Sequence, residues 1–181
     1  MESKIANKSD NKSLLHKYLT EKPKFTKAVV CFLLDGNKVL LGQRKKVSND
    51  LGLNIVAGIG GKLEAGESSE YALVREVQEE IGVRLLNYQQ VGRVKFIVPH
   101  KPLWNQDVAI FTADEWEGQP VETEAMLPKW YKTNELPIKQ MWQDNLVWLP
   151  QILVGKKIEG VFLLGEEAKV IEYELKPFGK I

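Results

Sequence analysis

Apolar residues fall along this chain in two rhythms, and the change from one to the other is marked by turn residues. Ala28-Val29-Val30-Cys31-Phe32-Leu33-Leu34 is a continuous apolar run of strand length, Asp35-Gly36-Asn37 supplies a turn, and Lys38-Val39-Leu40-Leu41-Gly42-Gln43 returns. This pattern predicts a β-hairpin entering a mixed sheet. A loop rich in Lys, Ser, Asn and Gly follows, then a short strand around Asn54 to Ala57. From Glu70 to Ile81 the spacing becomes helical, with Leu73, Val74, Val77 and Ile81 on one stripe. Ser68 or Ser69 can cap this helix, Glu70 suits its first turn, and Gly82 can take the positive φ that ends it. Further strands are predicted over Val91 to Val98 and Asp107 to Ala113, either side of the turn Pro99-His100-Lys101-Pro102. Another begins at Trp130-Tyr131, and a second helix fits Leu146 to Leu153. The chain closes with a hairpin, Gly160 to Leu164 and Lys169 to Leu175, turned at Gly165-Glu166-Glu167. Strands on both sides of a central helix, with a second helix late, predict an α/β sandwich in which a mixed sheet lies between helices.

The first 24 residues follow neither rhythm. They are rich in Lys, Asn and Ser, with one apolar patch at Leu14, Leu15, Tyr18 and Leu19 that could form a helical turn or two, and they read as a loosely held tail. Residues 25–181 then make one domain, since 181 residues with 44% hydrophobic content can bury a core and nothing marks a second one. The net charge of +1 is uneven: the tail's six Lys against Glu2, Asp10 and Glu21 leave +3 there and −2 elsewhere. A near-neutral body lacks the clustered basic surface of a nucleic-acid binder. Cys31 is the only cysteine, so no disulfide can form within the chain, and its apolar neighbours predict a buried thiol. No stretch approaches the roughly 20 apolar residues of a membrane span, and no apolar signal core opens the chain, so a cytoplasmic protein is expected; with no obvious apolar surface helix to force a dimer, a monomer is expected. His16 and His100 read as solvated.

Chemistry concentrates at the first helix. Glu76, Glu79 and Glu80 fall within an arc of about 100° beside the buried stripe. Carboxylates so stacked repel one another by a few tenths of a kcal/mol per exposed pair, a cost a divalent cation reverses. With no Cys or His nearby, the donor set suits a hard ion, Mg²⁺ or Mn²⁺, which keeps waters and binds substrate phosphates. The plain alternative is a solvated acidic face. Ahead of the helix, Gly58, Gly60, Gly61 and Gly66 crowd a loop whose backbone can approach a phosphate or metal, and a carbonyl there, such as that of Gly60, can join the cation shell.

Together these residues fill every position of the spacing G-x5-E-x7-R-E-(apolar)-x-E-E-x-G-(apolar): Gly61, Glu67, Arg75, Glu76, Val77, Glu79, Glu80, Gly82 and Val83. Chance would produce it with odds below roughly one in a million. The segment resembles the signature of the Nudix hydrolases. That resemblance implies the Nudix fold, Mg²⁺-dependent hydrolysis of a nucleoside diphosphate linked to another group, and Glu76, Glu79 and Glu80 as metal-holding and catalytic residues. It also implies that Arg75 orients carboxylates, pairing with Glu67 or Glu79, and that Gly61 and Lys62 belong to the site. Glu79, Glu80 or a late acid such as Glu124 would accept the proton of the attacking water.

A second region, Pro137-Ile138-Lys139-Gln140-Met141-Trp142-Gln143-Asp144-Asn145-Leu146-Val147-Trp148-Leu149-Pro150, looks like the vertebrate-type branch of oxidised purine nucleoside triphosphatases, as do Glu122 to Tyr131 and the final hairpin. By that resemblance Trp142 would stack on a purine, Asp144 with neighbouring Asn145 would face the base edge, and Phe96 and Trp148 would wall the pocket. An aromatic face does offer a stacking platform, and a carboxylate accepts from guanine N1–H and N2–H₂, a contact whose loss costs about 1–3 kcal/mol. The alternative makes Trp142 and Trp148 core aromatics and Asp144 the cap of the second helix. Three positions depart from the branch. Asn145 stands where a second aspartate is expected and cannot share a proton with its neighbour. Ala57 replaces a base-contacting asparagine, with Asn54 a substitute across an insertion at about Val47 to Leu53. Ala125 replaces a late metal-binding glutamate, leaving Glu124 or Glu122 to serve. The expected activity is conversion of an oxidised purine nucleoside triphosphate, of the 8-oxo-dGTP type, to monophosphate and pyrophosphate. The rivals are a Nudix hydrolase of a dinucleotide, nucleotide sugar or capped RNA, and a non-catalytic nucleotide sensor.

Overall fold

The computed structural model describes residues 13–45 and 54–179. The first twelve residues and the insertion at about Val47 to Leu53 lie outside the described residues. The apolar run becomes β1 (Thr26–Asp35), and the turn at Gly36, φ 57°, returns it as β2 (Lys38–Arg44). A two-residue β3 (Val56–Ala57) leads into the glycine loop and the central helix, which is α2 because a short helix α1 (Leu14–Thr20) precedes β1. Then come β4 (Arg84–Ile97), β5 (Gln106–Glu117), β6 (Met126–Lys132), α3 (Asn145–Leu153), β7 (Ile158–Leu164) and β8 (Val170–Pro177), α2 itself spanning Ser69–Ile81. Neighbours in the sheet run β3-β2-β1-β5-β4-β7-β8, and β6 pairs with β2. The pairs β1–β5 and β4–β7 are parallel and the others antiparallel, so the sheet is mixed as expected.

Alternation along β1 sorts the core. Val29, Cys31 and Leu33 point to one face, where Leu73, Val77 and Ile81 of α2 cover them. Phe32 points to the other, toward Trp148, Leu149 and Ile152 of α3, with Val39, Leu41, Phe162 and Leu164 around it. Helices therefore close both faces of one sheet. Cys31 is fully buried, and burial pushes its thiol far above the usual range. Among the described residues no helix is long and apolar enough to cross a membrane.

One departure from regular pairing creates the site. β1 and β2 are paired only beside their turn, from Leu33–Leu40 to Asp35–Lys38. Beyond that point β2 pairs with β3, and β1 takes the glycine loop: Cys31 N–H donates to Ile59 O at 2.7 Å and Val29 N–H to Gly61 O at 2.9 Å. The loop is thus wedged into a split in the sheet.

Several elements differ from expectation. The strand foreseen from Asn54 begins only at Val56, because Asn54 sits at φ 63°, a left-handed turn conformation. β4 and β5 are longer than predicted: β4 starts at Arg84 rather than Val91 and β5 continues past Ala113 to Glu117, and these added ends pair with bulges at Leu85/Asn87 and Gln90/Gly92. Ladder hydrogen bonds hold there what hydrophobicity does not advertise. β6 starts at Met126, ahead of Trp130, since Met126 fills the space over Gly42, and Pro128 is tolerated on a sheet edge. The tail reading needs correction from Leu14 onward. Leu15 is fully buried against Ile97 and Leu163, with Tyr18 and Leu19 beside it, and its N–H donates to Glu172 at 2.8 Å. The apolar patch docks because its helical spacing puts those three side chains on one face.

Candidate active site

α2 is bounded as its sequence requires. Ser68 Oγ accepts from Tyr71 N–H at 3.2 Å, and Gly82 ends the helix at φ 73°, a conformation costly for any residue with a Cβ. The apolar stripe settles on β1, so the neighbouring acidic arc is turned toward the glycine loop. A Cβ on Gly61 would lie 2.6 Å from the Glu76 carboxylate, which explains glycine there: the loop backbone is pressed against the carboxyl group. Gly60 N–H donates to Glu80 Oε2 at 2.8 Å. The expected contribution of Gly60 was its carbonyl; the bond present uses its amide.

Arg75 collects the carboxylates. Its guanidinium donates to both oxygens of Glu67, at 2.7 and 2.8 Å, to Glu76 at 2.9 Å, to Glu79 at 3.3 Å and to the Lys62 carbonyl at 3.2 Å. Both pairings expected of it are present, and Glu76 is added. The bidentate bond to Arg75, with the Glu64 N–H, holds the Glu67 carboxyl down at about 2. The Lys62 side chain is exposed beside the loop. Burial pushes Glu80 up to about 7, opposed by the Gly60 N–H and Arg44 and reinforced by Glu76 and Glu79.

Among the described residues no three His, Cys, Asp or Glu side chains stand close enough to enclose an ion as placed. Arg75 draws Glu76 and Glu79 aside, and the Glu79 side chain is 61% exposed. The donor set nevertheless fits a hard cation: oxygens only, on one helix arc, against a loop held free of side chains by Gly61.

Three contributors were invisible to motif spacing. Arg44, on β2, supplies positive charge near Glu80. Thr123 Oγ1 donates to the Glu80 carbonyl at 3.0 Å and accepts from Ala125 and Met126 N–H, so the 121–125 loop is fastened to the end of α2. Lys45 secures the same loop through Glu122 at 2.5 Å and the Thr123 carbonyl at 3.0 Å. A composition cue exists for none of them, because each acts through a backbone or a neighbour brought near by folding. Asn54, the substitute for Ala57, accepts from Gln43 at 3.4 Å, and Ala57 pairs with Gly42.

Of the residues expected to recognise a base, Trp142, Asp144 and Asn145 lie where α3 begins, and Phe96 is on β4. Asp144 is 4% and Asn145 5% exposed, while Trp142 and Phe96 are half-buried. Asp144 Oδ2 accepts from Trp148 Nε1 at 2.8 Å and from Asn145 Nδ2 at 3.3 Å. Asp144 occupies the cap position of α3 but its side chain makes no capping bond, so the capping alternative does not describe its carboxylate. Trp148, expected as a pocket wall, lies in the core edge-on to Phe32 at 5.8 Å, because its indole N–H is used to hold Asp144 from behind. Burial pushes the Asp144 carboxyl up to about 6 despite that bond. A contact path joins the two halves: Phe32, which touches Trp148, is also the ring that a Cβ on Gly58 would strike at 2.9 Å. Phe96 packs on Phe162 at 5.9 Å.

A carboxylate helix behind a glycine loop, in a mixed sheet closed by helices, defines a Nudix hydrolase. The description of the Nudix domain matches residues 24–152, and the chain belongs to the Nudix family. It is 35% identical over 139 residues to an oxidized purine nucleoside triphosphate hydrolase of Danio rerio, covering 76% of this chain and 86% of the relative. The corresponding protein of Mus musculus is 33% identical, covering 80% and 90%. An NAD-capped RNA hydrolase NudC of Pseudomonas aeruginosa is 29% identical over 68% of this chain but only 40% of its own length. In fold, a MutT protein from Bacillus halodurans superposes with TM-score 0.71 at 23% identity, over 84% of this chain and 98% of that one.

Proposed function

We propose that this Nudix hydrolase is a Mg²⁺-dependent diphosphatase of oxidised purine nucleoside triphosphates of the 8-oxo-dGTP type, releasing monophosphate and pyrophosphate. Its role would be sanitation of the nucleotide pool, as a cytoplasmic monomer. The observation that carries the reading is the buried Asp144, fixed by Trp148 and flanked by half-buried Trp142, on a chain that keeps every carboxylate of the hydrolytic helix. When bound to Glu76, Glu79 and Glu80, with the Gly60 carbonyl, Mg²⁺ or Mn²⁺ would neutralise phosphate charge and lower the pKa of a water. Around it, Glu67 holds Arg75, which keeps Glu76 and Glu79 to one side until a cation competes for them, and Gly61 lets the loop backbone lie against the Glu76 carboxylate. The proton of the attacking water passes to a carboxylate, and substitution of Glu79, Glu80 and Glu124 one at a time would sort the acceptor. On the base side, Trp142 stacks and Asp144 accepts from guanine N–H groups, with Phe96 at the edge and Asn145 setting the Asp144 orientation.

The test is chromatography of products after incubation with Mg²⁺ and dGTP, 8-oxo-dGTP, 2-oxo-dATP, ADP-ribose, a diadenosine polyphosphate and NAD-capped RNA. Monophosphate plus pyrophosphate from 8-oxo-dGTP, well ahead of dGTP, is expected. Turnover confined to ADP-ribose, the dinucleotide or the capped RNA would keep the chemistry and remove the base assignment. Glu79→Gln combined with Glu80→Gln should abolish turnover of whichever compound is cleaved, and unchanged turnover would remove the metal assignment.

A further inference from the structure

The short segment that presents Trp142 and Asp144 is held from outside the matched Nudix region. Gln143, between them, sends its side chain across to the C-terminal hairpin, where its Oε1 accepts from Val170 N–H at 2.7 Å. Val170 is the first residue of β8, and the family match ends at residue 152. The local backbone is a turn rather than a regular helix: Asn145 N–H donates to the Trp142 carbonyl at 3.1 Å and Leu146 N–H to the Gln143 carbonyl at 3.2 Å before α3 settles into its pattern. Such a turn has few bonds of its own to set the rotation of Trp142, which is only half-buried. Nearby packing between the segment and the hairpin, Met141 and Trp148 with Phe162 and Leu164, is apolar and therefore non-directional. The Gln143 bond adds direction to it.

We infer that Gln143 is a positioning residue for the base pocket, and that the β7–β8 hairpin through Val170 sets the orientation of Trp142, while Asp144 is held by Trp148 and Asn145. The inference rests on the base-pocket reading above. Among the described residues the Gln143 side chain bonds to Val170 and to no phosphate-handling group, so its influence falls on substrate binding and leaves the chemical step alone.

Gln143→Met keeps length and volume but removes the acceptor, while Gln143→Glu keeps one. Both would be compared with Trp142→Ala and the unaltered protein in steady-state hydrolysis of 8-oxo-dGTP, after thermal melts show that each variant folds. The side chain is exposed, so melting temperatures should stay close together. Gln143→Met should raise KM about 5-fold, the scale of one lost hydrogen bond, with kcat unchanged, and Gln143→Glu should restore it. An unchanged KM in Gln143→Met while Trp142→Ala raises it would overturn the positioning role and leave the pocket standing. Equal defects in the Met and Glu variants, or a fall in kcat alone, would also overturn it. An unchanged KM in Trp142→Ala, or no hydrolysis of 8-oxo-dGTP by the unaltered protein, would remove the pocket reading and this inference with it.

Discussion

At the scale of single residues, the site depends on what is missing as much as on what is present. Gly61 has no room for a methyl group, since a Cβ would meet the Glu76 carboxylate at 2.6 Å. Gly61→Ala should therefore displace Glu76 and lower kcat by about 10- to 100-fold with little change in the thermal melt, which initial rates and calorimetry can check together. Asp144 illustrates the opposite case, a charge held where charge is unwelcome. Burial moves its titration up to about 6, whereas an unfolded chain would titrate it near 4. Below about pH 4 the carboxyl is protonated in both states and contributes nothing; as pH rises through 6, ionisation costs the folded state stability. Asp144→Asn keeps an acceptor for Trp148 without charge. Its melting temperature should match the unaltered protein near pH 4 and exceed it at pH 8, by roughly 2–3 kcal/mol in free energy. Parallel melting curves at both pH values would show that Asp144 is not destabilised by ionisation. Glu76, Glu79 and Glu80 were legible as one arc because a helix converts sequence interval into angle without help from the rest of the fold, whereas Arg75 and Glu67, the latter ahead of the helix, were expected from the resemblance. Arg44 and Thr123 were not, because they reach the site from another strand and a loop.

At the scale of elements, local signals placed most boundaries and long-range pairing moved the rest. α2 and α3 begin and end within a residue of their predicted limits, since Ser68, Gly82 and the apolar spacing act locally. The polar half of β4 carried no hydrophobic alternation and is a strand only because β5 lies beside it. α1 is the clearest case of tertiary override: seven residues are too few for an isolated helix in water, yet Leu15 is fully buried. Leu15→Ala should destabilise the fold by about 2–4 kcal/mol in urea titrations. No measurable change would restore the loose-tail reading for this segment.

At the scale of the whole molecule, the C-terminal hairpin lies beyond the matched region, yet the fold is incomplete without it. β7 occupies the parallel edge of β4 and supplies Phe162 and Leu164 to the core beneath α3. A chain ended at residue 152 should expose that edge and those contacts, and should be recovered unfolded or aggregated by circular dichroism and gel filtration. Sequence by itself determined the family and the capped helix that carries Glu76, Glu79 and Glu80 behind its glycine loop, because these depend on spacing within one segment. Only the tertiary structure decided the split between β1 and β2 that admits the glycine loop, the docking of α1, and the placement of Trp148 behind Asp144. It also decided the bond from Gln143 to Val170. These are contacts between segments far apart in the chain, whose geometry follows from which side chains can fill a shared volume, and no interval along the sequence encodes that.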